Sequence, residues 1–539
     1  MSTGCCPCLG NFMTDVSESW DYLIVTASND RQASAYESQL RLRTDAGRLP
    51  WVRRAMVVAD LDGRRIGSGA STLDCLIRVV NAERRDGESV EATLGRLRIL
   101  IIHAGGDSRR LPAYGPSGKI FVPLPDPIRD GVPATLFDRI ALAFLRLPAH
   151  PAARGQVMAV AGDALILFDA EALALPADAL TIVGCYSTPE ESARHGVFCV
   201  EGEGRLRLYL QKPSIETQRS AGAIDREGRS VLDIGIMSFD AAAGAAMLAA
   251  FGVAPSGAGR LEWSPTMRTR ILEKGVDLYR EICCAFGASA TLEHYIESAQ
   301  ASGSKWTVEE FAELFAALNS IPVNVRVVPS CRFLHFGSTG QLIPSGAALA
   351  GVSRLAVNSE IGEGGSIEGE SYWVEGCRIH APVRLAGRNV VIGVDVDAPL
   401  DLPEAACLDV LEGANRKGDR VWFLRPHGAG DTFKHAAGKG GAFCGLPIMD
   451  WLEQAGVAVE DVWDEAVGED ERTLWNARVF PTSSSPVAYR DWLWFFNPRE
   501  ATPQQRSAFF ATERFSASEI ALLTDQDAFH RRRVGLARR

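Results

Sequence analysis

The chain has 539 residues, enough for about three domains of ordinary size. Apolar residues make up 46% and charged residues 23%, a balance that supports a sizeable core and excludes disordered, collagenous and disulfide-miniprotein classes. The net charge of -11 argues against a general nucleic-acid-binding surface, so no nucleic-acid partner is expected.

Residues 1–19 show neither the basic nor the apolar segment of a signal peptide and read as a disordered tail in which Cys5, Cys6 and Cys8 crowd. The other cysteines are scattered, with Cys283 and Cys284 merely adjacent and no C-x-x-C pair, which points to reduced thiols in a cytoplasmic protein. The first strong element is the apolar run Tyr22–Ala27, suited to a strand buried on both faces, followed by a helix over Gln32–Arg43. A second strand, Ala55–Ala59, runs into Ile66-Gly-Ser-Gly-Ala-Ser-Thr72, where Ser71 or Thr72 is expected to cap a helix beginning near Leu73. A third strand, Leu97–His103, ends in Ala104-Gly-Gly-Asp-Ser-Arg-Arg110. A fourth, Val157–Val160, stops at Ala161-Gly-Asp163, and Leu180–Tyr186 makes a fifth. Strands alternating with helices imply a doubly wound α/β sheet, which binds its ligands beyond the carboxyl ends of the strands.

The uncharged run Ala241–Gly259 is too weakly apolar, and too broken by Pro255, Ser256 and Gly257, to span a membrane. After about residue 325, stretches such as Ile361–Ile367, Val374–Ile379, Val383–Leu385 and Val390–Gly393 place β-branched residues at short intervals with Gly between, the pattern of a β-helix-like solenoid. From Arg420 the chain is rich in Trp and reads as mixed strand and helix with the tryptophans in a core. Its final arginines, Arg531, Arg532, Arg533, Arg538 and Arg539, read as a solvated tail. The expected division is therefore a tail over 1–19, an α/β domain over 20–322, a β-helix-like domain over 323–420 and a Trp-rich region over 421–539.

The segment from His103 to Lys119 is the most informative. A strand running into paired glycines brings backbone N–H groups close to an anion, and Arg109, Arg110 and Lys119 add charge suited to phosphate. It is not a Walker A loop, because Ile follows Lys119. Asp163, at a neighbouring strand end, is placed as Mg²⁺ requires when the ion also binds phosphate oxygens; the alternative is a helix cap. Gln211-Lys-Pro213 and Asp233-Ile-Gly235 are weaker candidates for contact with a sugar phosphate; the alternative for each is a turn. No G-x-S-x-G elbow is present, and His103, His195, His294, His335 and His380 are isolated, without metal-ligand spacing.

Gly105-Gly-Asp-Ser-Arg-Arg-Leu-Pro-Ala-Tyr-Gly-Pro-Ser-Gly-Lys-Ile-Phe-Val-Pro-Leu-Pro125 resembles the signature loop of the fucose-1-phosphate guanylyltransferases, which include the pyrophosphorylase half of bifunctional fucokinases. Trp20–Ala27, Ala35–Gln39, Ile66–Leu73, Val276–Ile282, Phe333–Thr339 and Leu474–Pro481 are similar to further landmarks of that family, in order. The resemblance implies a nucleotidyltransferase-like mixed sheet followed by a β-helical part. It implies a reaction of GTP with L-fucose 1-phosphate that gives GDP-L-fucose and pyrophosphate, with Mg²⁺.

Carried onto this chain, Arg110 and Lys119 take the catalytic charges. Gly67, Gly69, Thr72, Gly105, Gly106, Asp107, Ser108 and Arg109 bind nucleotide, Asp163 and Asp233 bind metal, and Lys212 and Gly235 meet the sugar phosphate. The family pattern has a further Gly where this chain has Ala70. The attacking phosphate is already anionic, so no protein base is required. A different sugar 1-phosphate, a sugar kinase and a non-catalytic sugar-nucleotide sensor remain as alternatives, and a homo-oligomer is possible.

Overall fold

The computed structural model describes residues 19–126, 130–147, 154–169, 173, 175–176, 180–257 and 259–538. Cys5, Cys6, Cys8 and Arg539 lie outside these.

A nine-stranded mixed sheet forms the first half of the chain. Its strands are β1 (Trp20–Ala27), β2 (Val52–Ala59), β3 (Arg98–His103), β4 (Gln156–Ala161), β6 (Leu180–Ser187), β7 (Gly196–Glu201), β8 (Arg205–Gln211), β9 (Ser230–Phe239) and β12 (Val323–Val328). Between β4 and β6 comes β5 (Ala164–Phe168), and β10 (Val253–Pro255) with β11 (Leu261–Trp263) makes a small hairpin. Spatial order is β2-β1-β3-β4-β9-β6-β12-β8-β7. Strands β2, β1, β3 and β4 are parallel, and β9 enters antiparallel between β4 and β6. The sheet also takes in β12, past the expected boundary at residue 322.

Both faces of this sheet are covered, which is why its strands are near-continuous apolar runs. Leu23, Val25, Leu100 and Ile102 enter one core, and the alternate residues Tyr22, Ile24, Ile99 and Ile101 enter the other. Helix α1 (Asp30–Asp45) starts where the Asn29 side chain accepts the Gln32 N–H.

Helix α2 (Gly67–Glu83) departs from expectation. It begins at Gly67, not near Leu73, so Ser71 and Thr72 lie within it and cap nothing. In place of a cap, the Val276 carbonyl accepts the N–H groups of Gly69 (2.9 Å) and Ala70 (3.2 Å). The close approach needs glycine: a Cβ on Gly67 would stand 2.3 Å from the Val276 oxygen.

Strand β13 (Cys331–His335) pairs antiparallel with β5 outside the main sheet. Two cysteines read as isolated thiols meet here: Cys185 on β6 and Cys331 on β13 are disulfide-bonded, their Cα atoms 6.2 Å apart. From residue 354 onward short strands pair in parallel in three stacks. In one, Leu355 pairs with Trp373, Trp373 with Val390 and Val390 with Cys407. The others join Glu360–Ile361, Arg378–Ile379 and Asp395–Val396, and Ser366–Glu368, Pro382–Leu385 and Leu400–Leu402.

The first stack continues without a break through Ala406–Ala414 into the antiparallel strand Arg420–Gly428, so the sheet crosses residue 420. Trp451, Trp463, Trp475, Trp492 and Trp494 are buried beyond it. Of the arginines expected in a solvated tail, Arg531, Arg532 and Arg533 lie on the helix Gln526–Ala537; Arg531 is exposed, but Arg533 is buried against Glu375 (2.6 Å) and Arg532 pairs with Asp395 (2.6 Å). Among the described residues no helix is long and apolar enough to cross a membrane.

Candidate active site

Strands β3, β4, β8 and β9 deliver five of the expected residues to one cavity of about 640 Å³ at the edge of the sheet: Arg110, Asp163, Lys212, Asp233 and Gly235. The volume suits a small-molecule substrate.

Arg110 follows the glycine loop after β3. Its backbone is fixed by the Thr339 N–H, which donates to its carbonyl at 2.8 Å. Among the described residues neither Arg110 nor Lys212 has an ion-pair partner, so both guanidinium and ammonium are available to an anion. Lys119 stands beside them with its Nζ 4.0 Å from Asp163. Burial pulls the Lys119 ammonium below its ordinary pKa, and Asp163 opposes that fall. Asp163 itself is 51% exposed in its side chain, a carboxylate open at the site rather than a helix cap.

Lys212 holds a left-handed backbone (φ 49°) just after β8, an unusual conformation for a non-glycine residue and one found at functional positions. Its N–H donates to the His195 carbonyl at 3.0 Å. Asp233 and Gly235 sit on a bulge of β9. Val183 pairs with Ile236 but Gly184 pairs with Asp233, so Ile234 and Gly235 loop out of the ladder toward the cavity. Gly235 takes φ 73° there.

Both oxygens of Asp233 are occupied: Oδ1 accepts the Gly235 N–H (2.7 Å) and Oδ2 the Tyr209 hydroxyl (3.1 Å). Burial pushes its carboxyl up to about 6. Asp233 therefore spends both oxygens on hydrogen bonds that shape the bulge. Among the described residues no three His, Cys, Asp or Glu gather as a metal cluster. Mg²⁺ needs only one or two carboxylates when phosphates supply the remaining oxygens, so the exposed carboxylate of Asp163 fits that ion.

The rest of the expected nucleotide set divides. Gly105 and Gly106 precede the cavity residue Arg110 in the chain but do not line the cavity, and a Cβ on Gly106 would meet nothing within 4 Å. Ser108 is buried at φ 55°, and its hydroxyl has no hydrogen-bond partner among the described residues. Asp107 and Arg109 pair with each other at 3.0 Å, and the Arg109 guanidinium lies 5.9 Å from the Trp475 ring.

Gly67, Gly69 and Thr72 are elsewhere. The two glycines abut the Val276 segment, and the Thr72 hydroxyl donates to the Ser68 carbonyl (2.9 Å) and contacts the His103 ring (2.9 Å). Ala70 beside them is fully buried, while Gly67 is half-buried. Among the cavity residues not expected at the site are His195, Phe333 and His335. The histidines are distant in sequence yet their rings lie 6.5 Å apart.

The fucose pyrophosphorylase domain model matches residues 91–485, which hold the glycine loop, Lys119 and all five cavity residues named above. The chain belongs to this family. A bifunctional fucokinase/GDP-fucose pyrophosphorylase of Arabidopsis thaliana is 29% identical over 88% of this chain and 48% of its own. A fucose-1-phosphate guanylyltransferase of Mus musculus is 25% identical over 64% of this chain and 59% of its own. This fucose pyrophosphorylase family member spans about half the length of the curated relatives it matches. A solved structure described as mannose-1-phosphate geranyltransferase from Thermus thermophilus is 13% identical over 72% of this chain and 92% of that one. Its TM-score of 0.23 is too low to inform the fold.

Proposed function

We propose that the chain joins GTP to L-fucose 1-phosphate, forming GDP-L-fucose and releasing pyrophosphate. The observation that carries this reading is the convergence of Arg110, Lys212 and Asp163 at one cavity, with the Lys119 ammonium 4.0 Å from Asp163. A net-acidic chain that gathers cations at one point does so for an anion.

The nucleotide phosphates are assigned to the loop side, where backbone at Gly105 and Gly106 is open. The sugar phosphate is assigned to the cavity side, where Lys212 reaches. An oxygen of the sugar phosphate attacks the α-phosphorus in line as the bond to pyrophosphate breaks. That oxygen is already anionic near neutral pH, so no general base is needed, and catalysis consists of positioning and charge stabilisation. Arg110 and Lys119 are placed to take the charge that develops on the phosphates. Asp163 would hold Mg²⁺, which when bound neutralises phosphate charge.

The parallel stacks are read as the rungs of a short β-helix whose task is support. The Tyr114 hydroxyl, from the segment between Arg110 and Lys119, donates to Glu375 on one of those strands at 3.1 Å. A matrix of nucleotides against sugar 1-phosphates, read by pyrophosphate release, tests the assignment. GTP with L-fucose 1-phosphate is expected to be the best pair. Release with a different sugar 1-phosphate but not with fucose moves the substrate and keeps the chemistry.

A further inference from the structure

The pairing of β5 with β13 builds one side of the cavity. In an antiparallel pair, residues directly opposite share a face. Phe333 is opposite Ile166 and His335 is opposite Ala164, so all four present one face of the ribbon, and all four line the cavity. The ring of His195 completes this wall from the turn before β7. It lies 5.8 Å from Phe333 and 6.5 Å from His335, with interplanar angles of 26° and 22°. Phe333 and His335 are themselves 5.8 Å apart and nearly parallel, at 5°. The result is one continuous wall of three rings and an isoleucine in a cavity whose other lining includes Arg110, Asp163, Lys212 and Asp233.

Phosphoryl chemistry uses none of these rings. Of the glycine loop and its two arginines, only Arg110 lines this cavity, so the nucleotide does not account for the wall. What remains is the body of the second substrate. A wall of flat rings and an isoleucine, combined with fixed hydrogen-bonding groups, matches a pyranose, which has C–H faces and a rim of hydroxyls.

We propose that Phe333, His335, His195 and Ile166 form the wall against which the sugar ring of the second substrate rests, and that this wall favours a 6-deoxy sugar over its 6-hydroxy counterpart. The proposal rests on the sugar 1-phosphate reading above. A methyl group loses nothing against Ile166 and Phe333, whereas a hydroxyl buried there gives up its water without a partner. Rejection of an added hydroxyl by an apolar wall reaches about 100-fold.

The test uses the full chain with Phe333→Leu, His335→Gln and Ile166→Thr, each first checked for an unchanged circular dichroism spectrum. Phe333→Leu is expected to raise KM for L-fucose 1-phosphate about tenfold, the equivalent of about 1.4 kcal/mol, while KM for GTP stays within about twofold. Ile166→Thr is expected to narrow the kcat/KM preference for L-fucose 1-phosphate over L-galactose 1-phosphate, because its hydroxyl can partner the sugar's.

Equal rises in both KM values, or no change in either for Phe333→Leu and His335→Gln, would overturn the wall. If Phe333→Leu does not fold, His335→Gln and Ile166→Thr carry the same comparison. If the native chain turns over no sugar 1-phosphate, the functional reading fails. Calorimetric titration of L-fucose 1-phosphate into native and variant chains then decides the wall separately. Binding that Phe333→Leu weakens supports it; binding unaffected by the variants, or none to the native chain, contradicts it.

Discussion

Removing one partner of the buried pair Arg533–Glu375 is expected to damage both stability and the candidate site, and removing both is expected to cost less than either single change. Glu375 is fully buried and Arg533 is 5% exposed, with Nη2 of the arginine 2.6 Å from Oε2 of the glutamate. That oxygen also accepts the Tyr114 hydroxyl, and the Trp373 indole donates to the same hydroxyl at 3.1 Å. The arginine is stacked on Phe529, 3.3 Å from the ring centroid, so it cannot swing out to water without losing that contact.

Glu375→Gln or Arg533→Met alone leaves a buried charge uncompensated, which costs about 3–5 kcal/mol. The double variant removes both charges and is expected to lose only about 1–2 kcal/mol, mostly through the weakened hydrogen bond to Tyr114. A double-mutant cycle in urea unfolding, followed by tryptophan fluorescence, should therefore give a coupling of about 2 kcal/mol or more. Because Tyr114 lies between Arg110 and Lys119, each single variant should also slow pyrophosphate release in its folded fraction, with partial recovery in the double. Additive losses, with no coupling and full activity in the folded singles, would refute the idea that the C-terminal helix braces the phosphate-binding segment.

Lys119→Ala should reduce turnover by about 10²–10³-fold, the effect of deleting one preorganised charge at a developing anion. Its melting temperature should change little, and near-normal turnover in steady-state assays would remove Lys119 from the site. Asp163→Asn keeps the shape of the side chain and loses its charge. A titration of activity against Mg²⁺ should shift to much higher concentration while nucleotide binding stays measurable, and an unchanged titration would count against the metal assignment. The Asp233 carboxyl is held up to about 6 from an ordinary value of 3.8, chiefly by burial, so the folded chain binds this proton more tightly than the unfolded chain. The native protein should accordingly lose roughly 3 kcal/mol as pH rises from about 4 to about 6, a loss that the isosteric Asp233→Asn lacks. If the melting temperatures of the two proteins change in parallel across that window, the shift is absent.

Much of the site was legible because its residues follow apolar runs that end abruptly. The Tyr22–Ala27 and Leu97–His103 runs could only be strands covered on both faces, and the charged or glycine residues just past such strands are where an α/β sheet binds ligands. Arg110, Asp163 and Lys212 stand at such ends, whereas Asp233 lies inside β9. The ribbon that walls the cavity was not, because β5 begins just after Asp163 and its partner β13 lies far along the chain. Local periodicity carries no record of that pairing.

Helix α2 was placed too late for a similar reason. Glycine is a poor helix former, and the start at Gly67 is held by the Val276 carbonyl rather than by a capping side chain. The last arginines look like solvated charge until Glu375 and Asp395 are seen beside them. In each case a contact between distant segments outweighed the local pattern.

The central claim is that the sugar phosphate attacks the α-phosphorus of the nucleotide, and labelled GTP tests it most directly. With L-fucose 1-phosphate and Mg²⁺, label at the α-phosphate should appear in GDP-L-fucose and label at the γ-phosphate in pyrophosphate. Label from the γ-phosphate recovered on the sugar, or no transfer of the α-label into a sugar nucleotide, would contradict the account.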